Sequence, residues 1–114
     1  MGNLGKLALV LLLCKKLVNI ESSLALKCRE CSSYLHKKCE HKMNVCIAED
    51  GESCRITRTW SPPNNVNNPS GGHSGCQKNC TTDEYDYSDI AILTNCCDKY
   101  DFCNDINIPL DEWY

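Results

Sequence analysis

The main apolar stretch of the chain lies near its start, and only short stretches follow it. This stretch covers residues 4–14, with Lys6 near its beginning, and it is too short to span a membrane and typical of the apolar core of a secretory signal peptide. The small residues Ser23 and Ala25 suit the positions before a cleavage site, so cleavage is predicted after Ala25. The chain is therefore predicted to carry a signal peptide at residues 1–25 and to be secreted as residues 26–114.

The secreted part is predicted to form β-strands, because its apolar residues come in short runs without a helical period. Residues 26–31 are predicted to form an edge strand. Residues 45–48 and 53–60 are predicted to pair as a hairpin, since an Asp-Gly dipeptide at residues 50–51 favours a tight turn between them.

Polar segments separate the predicted strands. Residues 61–75 are rich in Pro, Asn, Gly and Ser, so they are predicted to form a long flexible loop that cannot continue a sheet. Residues 83–89 are acidic and contain two tyrosines, and a short apolar strand is predicted after them at residues 90–94. The sequence contains no repeat, which predicts one small domain over residues 26–104 and a short acidic tail over residues 105–114.

The ten cysteines after residue 25 follow the spacing C-x2-C-x7-C-x6-C-x7-C-x21-C-x3-C-x15-C-C-x5-C-N. An even number in a small secreted chain is typical of a disulfide framework, but ten cysteines pair in on the order of a thousand ways, so the connectivity stays open. The motifs Cys28-x2-Cys31 and Cys76-x3-Cys80 offer zinc ligands as an alternative, which a secreted location disfavours because thiolates need a reducing compartment. We therefore expect disulfides and neither a metal nor a cofactor.

Charge is divided unequally along the secreted part of the chain. Residues 26–78 contain eight basic and five acidic side chains, whereas residues 79–114 contain one basic and nine acidic side chains. Such an asymmetry steers binding to charged partners. It disfavours a nucleic-acid-binding function, which requires a broad basic surface.

The cysteine spacing, the Leu-x-Cys-x2-Cys start at residues 26–31 and the Cys-Cys-x5-Cys-Asn end at residues 96–104 resemble the three-finger domain of the urokinase-receptor and lymphocyte-antigen type. Snake three-finger toxins share this scaffold. The resemblance implies a small disulfide-rich all-β fold and a structural Asn104 that hydrogen-bonds within the cysteine knot. We also expect the protein to be a monomer. The five disulfides that it implies are Cys28–Cys54, Cys31–Cys39, Cys46–Cys76, Cys80–Cys96 and Cys97–Cys103.

The same resemblance divides the domain into three β loops that project from the knot. Finger I spans residues 28–46, finger II spans residues 54–76 and finger III spans residues 80–96. An arm of about ten residues in finger II reaches ~30 Å from the knot. Such an extended arm is typical of a recognition surface rather than a pocket.

The segment Gly51-Glu52-Ser53-Cys54 and the hydrophilic ending resemble the prostate and testis expressed (PATE) group in particular. A GPI signal needs a hydrophobic tail of roughly 10–20 residues, whereas residues 105–114 are short and carry three acidic side chains, so we expect no membrane anchor. The PATE resemblance implies a secreted protein of the male reproductive tract that acts on sperm or on nicotinic acetylcholine receptors.

Arg58 and Trp60, near the end of the outgoing arm of finger II, are candidate partner-binding residues because Arg and Trp are frequent at interface hot spots. A cation beside aromatic side chains also resembles the way in which toxin fingers address the aromatic cage of a nicotinic receptor. The alternative is that Trp60 packs across the hairpin and Arg58 is solvated or paired with an acid. Both share one strand face with Cys54 and Ile56.

Finger III carries a second candidate contact surface, which is a docking site for a basic partner or, alternatively, a solvated charged loop. The residues of this surface are Asp83, Glu84, Tyr85, Asp86 and Tyr87. Sulfation of the tyrosines would strengthen such docking. Asn79-Cys80-Thr81 is a glycosylation sequon, which makes Asn79 a candidate glycosylation site.

We expect no enzymatic activity. Residues 96–103 resemble the active-site stretch Cys-Cys-x-x-His-Asp-x-Cys of secreted phospholipases, but Tyr100 replaces the histidine, and a phenol, protonated at neutral pH, cannot serve as the general base. The glycine-rich calcium loop of those enzymes is also missing. His36, His41 and His73 lie in polar segments, where solvated side chains are expected rather than a metal site.

The sequence therefore predicts a secreted, non-enzymatic three-finger ligand that binds an extracellular receptor or the sperm surface. The alternatives are a carrier or coating protein of seminal fluid that adsorbs to membranes, and a toxin-like ligand. Saturable binding distinguishes a receptor ligand from an adsorbing protein, whose binding follows lipid charge and salt.

Overall fold

Seven antiparallel β-strands form the regular structure of residues 25–110. The computed structural model describes this range, so residues 1–24 of the predicted signal peptide and residues 111–114 lie outside the described part. The strands are β1 (Lys27–Leu35), β2 (Lys38–Cys39), β3 (Asn44–Ile47), β4 (Glu52–Trp60), β5 (Gly71–Lys78), β6 (Asp83–Asp86) and β7 (Ala91–Cys97). Within the described range, no helix is long and apolar enough to cross a membrane. The predicted small all-β fold class is confirmed.

Three hairpins correspond to the three predicted fingers. β1 and β2 form finger I and turn through His36 and Lys37, whose positive φ angles of 48° and 69° suit a two-residue hairpin turn. β4 and β5 form finger II, and residues 61–70 are its tip. β6 and β7 form finger III, where Tyr87 N–H donates a 2.8 Å hydrogen bond to the Ile90 carbonyl. The predicted three-finger architecture is confirmed.

Finger II lies at the centre of the sheet, whose strand order is β2-β1-β5-β4-β7-β6. β5 pairs with β1 of finger I, and β4 pairs with β7 of finger III. β3 lies off this path and pairs with the first half of β1, where Cys28 is opposite Cys46. The outermost strand on the finger III side is β6, which leaves the finger III residues at an edge of the sheet.

The predicted hairpin between residues 45–48 and 53–60 is wrong. A tight turn is present, with Gly51 at a φ of 81°, but the strands that it joins pair elsewhere. β3 pairs with β1, and β4 pairs with β5 and β7. Turn chemistry acts locally, whereas the free edge of β1 and the Cys46–Cys76 bridge decide where β3 lies.

The prediction of a flexible loop over residues 61–75 is wrong beyond Ser70. Gly71 begins β5, which pairs with β4 on one side and β1 on the other. At Gly72 of this strand there is no room for a side chain, because a Cβ would lie 2.1 Å from the Thr57 carbonyl oxygen. Gly72, one of the glycines that suggested a loop, is therefore required by the close approach of β4 and β5, whereas Gly71 has room for a Cβ.

Disulfides and a few large side chains make up the core. Tyr34, Ile56 and Ile106 are each 2% exposed and pack with the buried Cys31. Burial raises the pKa of the Tyr34 phenol, whose oxygen hydrogen-bonds to Ser74 Oγ at 2.8 Å. The five disulfides are the pairs that the family resemblance implies, Cys28–Cys54, Cys31–Cys39, Cys46–Cys76, Cys80–Cys96 and Cys97–Cys103.

Asn104 is fully buried and forms three hydrogen bonds at the cysteine-rich end of the domain. Its side-chain oxygen accepts from Arg29 N–H at 2.9 Å, and its side-chain nitrogen donates to the carbonyls of Arg29 and Arg55, both at 2.9 Å. These contacts tie β1 to β4, which is the structural role that the resemblance implies for Asn104.

Residues 105–110 pack onto the domain, although the sequence predicted a tail from residue 105 onward. Ile106 is 2% exposed and Leu110 is 7% exposed. Leu110 N–H also donates a 2.8 Å hydrogen bond to the side-chain oxygen of Asn67 in the tip of finger II. The folded domain therefore continues to Leu110, and the apolar residues of this segment complete its small core.

Candidate functional site

Arg58 lies in the interior of the domain and not on a contact surface. It is 1% exposed and donates hydrogen bonds to the Val66 carbonyl at 2.9 Å and to the Ile108 carbonyl at 2.7 Å. Burial lowers the pKa of its guanidinium, while Asp105 and Tyr34 act in the opposite direction. The prediction that Arg58 contacts a partner is wrong, and so is the alternative that it is solvated. Its role is to join the tip of finger II to the C-terminal segment.

The burial of Arg58 follows from its strand face. Side chains alternate along a strand, and Cys54 and Ile56, which precede Arg58 on the same face, are 0% and 2% exposed. This two-residue spacing is the sequence signal for an interior position. Trp60, the next residue on that face, is half-buried and lies opposite Ala91 of β7, at the end of the sheet.

Residues 83–87, called the finger III surface, are exposed along the outer strand of the sheet. All four residues of β6 are exposed, with Tyr85 at 55%, and Tyr87 in the following turn is 61% exposed. Because side chains alternate along β6, its three acids occur on both of its faces. The structure thus gathers the predicted acidic and aromatic residues on one accessible edge.

The three histidines do not lie close enough together to share one metal ion. His36 lies in the turn of finger I, whereas His41 and His73 border a cleft. Within residues 25–110, the groups of three potential ligands close enough to hold a metal ion consist of cysteines, all of which are in disulfides. Disulfide sulfur is not the thiolate that metals bind.

Two further predicted positions lie on the surface. Asn79 is exposed directly after β5, with a φ of 52°, and precedes the Cys80–Cys96 bridge. The sequon is therefore displayed on the surface, and its glycosylation remains a prediction. Tyr100, which occupies the histidine position of the phospholipase-like stretch, is 56% exposed.

A cleft that the sequence did not predict opens between finger I and the centre of the sheet. It has a volume of about 660 Å³. The residues that define it, here called the Arg55 cleft, are Arg55, His73 and Gly75 on β4 and β5, with His41 and Lys42 from finger I. No sequence pattern relates these positions, because they meet only when finger I folds against β5.

Arg55 and His73 form a hydrogen-bonded pair in this cleft. Arg55 Nη1 contacts His73 Nδ1 and also donates to Thr57 Oγ1 at 3.4 Å. Arginine has no acceptor, so His73 Nδ1 accepts and the ring carries its proton on Nε2. Burial, and then the charge of Arg55, lower the pKa of His73, so its ring is neutral at pH 7.

The u-PAR/Ly-6 domain family matches residues 24–106, which include all ten bridged cysteines and Asn104. The chain belongs to this family. A comparison with curated proteins found no matching sequence. A u-PAR/Ly-6 domain with five disulfides suits an extracellular or cell-surface setting, and domains of this family typically interact with receptors.

Proposed function

We propose that this u-PAR/Ly-6 protein is a secreted, non-enzymatic ligand that binds an extracellular or cell-surface receptor through the finger III surface. The observation that carries the proposal is the exposure of acidic and tyrosine side chains along the outermost strand β6. The resemblance to the PATE group favours the sperm surface and nicotinic acetylcholine receptors as the targets to test first.

The chemistry of the finger III surface suits a basic protein partner. Its acids attract positive charge over a distance and raise the rate of encounter. Tyr85 and Tyr87 add aromatic area of a kind that is enriched at interfaces. An edge strand also offers backbone groups that an extended segment of a partner can pair with. Trp60 stays a candidate contact of finger II, whereas the burial of Arg58 removes it from this role.

Neutralising the finger III surface is expected to weaken binding of the oxidised protein to target cells by about tenfold or more, since it removes both steering and contact charge. The test variant combines Asp83→Asn, Glu84→Gln and Asp86→Asn. A control variant combines Glu49→Gln, Asp50→Asn and Asp98→Asn, which neutralise three exposed acids elsewhere. Binding is measured on sperm and on cells that express nicotinic receptors. Equal affinities of the two variants would exclude finger III as the contact surface.

A second candidate function is adsorption to membranes as a carrier or coating protein. Met43, Val45 and Ile47, at alternate positions along finger I and β3, are 36%, 51% and 49% exposed and so present apolar area to solvent. An adsorbing protein binds protein-free lipid vesicles without saturating a fixed number of sites, and its binding varies with lipid charge and salt. A toxin-like receptor ligand differs from the leading proposal in its effect on the receptor and not in this binding test.

A further inference from the structure

The Arg55 cleft contains a cation that no acid of residues 25–110 neutralises through an ion pair. Arg55 is half-buried, and its hydrogen bonds in the described structure go to the neutral partners Thr57 and His73. Its Nε is buried and has no hydrogen-bond partner. Burial lowers the pKa of this guanidinium, and no carboxylate opposes that effect. Holding a partly desolvated cation without an anion is unfavourable, so the site suits an anion that arrives from outside.

The strand partner of Arg55 leaves room for such an anion. Arg55 pairs across the sheet with Gly75, and a Cβ at Gly75 would come within 3.4 Å of Arg55 Nη2. The missing side chain therefore keeps that nitrogen open towards the cleft. Glu30 lies on the other side of the same space, with Oε2 4.0 Å from that Cβ position.

Three residues of the cleft, Arg55, His73 and Lys42, carry donors of the kind that a carboxylate accepts from. Arg55 Nη2 makes no hydrogen bond within the described structure, and His73 carries its proton on Nε2. Lys42 lines the same cleft from the finger I side and adds a second positive charge. Guanidinium and carboxylate form strong charge-assisted hydrogen bonds.

We propose that the Arg55 cleft binds a carboxylate of an acidic peptide segment in a protein partner, either an Asp or Glu side chain or a chain terminus. A polysulfated glycan fits less well, because the lining of the cleft contains the acidic Glu30 as well as the two cations Arg55 and Lys42. The site is distinct from the finger III surface and does not depend on it. The domain would then carry two contact surfaces of opposite charge preference.

The test titrates the oxidised, disulfide-intact protein with a short capped peptide that contains Asp and Glu, and with the same peptide in which Asn and Gln replace them. NMR follows the Arg55 Nε–H and His73 ring signals. The acidic peptide is expected to shift these signals saturably, whereas the amide peptide leaves them unchanged. Equal shifts with both peptides would overturn the proposal. A heparin oligosaccharide forms a third arm, and saturation by heparin without a response to the acidic peptide would also overturn it.

Two substitutions in the cleft are expected to change binding in opposite directions, which separates an effect on the site from a folding defect. Arg55→Gln is expected to weaken binding of the acidic peptide by about tenfold or more, as loss of one partner of a desolvated charge pair does. Glu30→Gln removes a competing negative charge and is expected to tighten binding. Lys38→Gln, an exposed cation outside the cleft, is the charge-matched control and leaves binding unchanged. Unchanged affinity in both Arg55→Gln and Glu30→Gln would refute the carboxylate site.

Discussion

Two arginines on β4 occupy opposite environments because side chains alternate along a strand. Arg58 shares the inward face with Ile56 and is 1% exposed, with backbone carbonyls as its partners. Arg55 lies on the other face, beside Gly75 and an open cleft. The same residue type therefore serves folding at one position and is available for recognition three residues earlier.

Arg58→Met is expected to lower the free energy of unfolding by about 2–5 kcal/mol, because it leaves the carbonyls of Val66 and Ile108 without their charged donor. Denaturant unfolding with the disulfides intact measures the loss. Lys99→Met, at an exposed position, is the control and is expected to change stability by less than about 0.5 kcal/mol. A stable Arg58→Met protein that has lost receptor binding would instead indicate a contact role for Arg58.

Among the strands, β5 contains a position, Gly72, at which the neighbouring backbone leaves no room for a side chain. It lies between β1 and β4, and Gly72 has a φ of 149° with the Thr57 carbonyl oxygen where a Cβ would be. Gly71, its neighbour, has room for a Cβ, since the nearest heavy atom would be 3.6 Å away. The two adjacent glycines therefore differ in what they allow.

Gly72→Ala is expected to destabilise the domain by about 2–4 kcal/mol, since the strand must shift to relieve the clash. Gly71→Ala makes an ordinary van der Waals contact and is expected to change stability by less than about 1 kcal/mol. Thermal and denaturant unfolding of the two oxidised variants gives the comparison. Equal stabilities would show that β4 and β5 are not held in the close register of this structure.

The disulfide pairs, the fold class and the role of Asn104 could be predicted from the sequence, because each depends on the pattern that the family resemblance covers. The pairing of β3 was not, since the turn at Gly51 fixes a change of chain direction but not the neighbouring strand. Gly72 suggests a loop in the sequence, but its role is to allow the close approach of β4 and β5. The Arg55 cleft depends on the docking of finger I against β5, which no local pattern contains.

Across residues 25–110, five disulfides and a small core hold the three fingers together. The C-terminal segment contributes Ile106 and Leu110 to that core, so the domain is closed by residues beyond the last cysteine. Finger III presents an acidic edge, whereas the Arg55 cleft between finger I and finger II presents cations. The proposed function therefore depends on surfaces that exist only in the oxidised fold.

The proposed function is tested by cell binding of the oxidised protein, compared with that of a reduced and alkylated sample. Both samples have the same amino-acid sequence, and the second lacks the bridges that hold the fingers together. We expect saturable binding of the oxidised protein to sperm or to nicotinic-receptor-expressing cells, and loss of that binding on reduction. Non-saturable binding that is equal in both samples would contradict the proposed function and favour adsorption to the membrane.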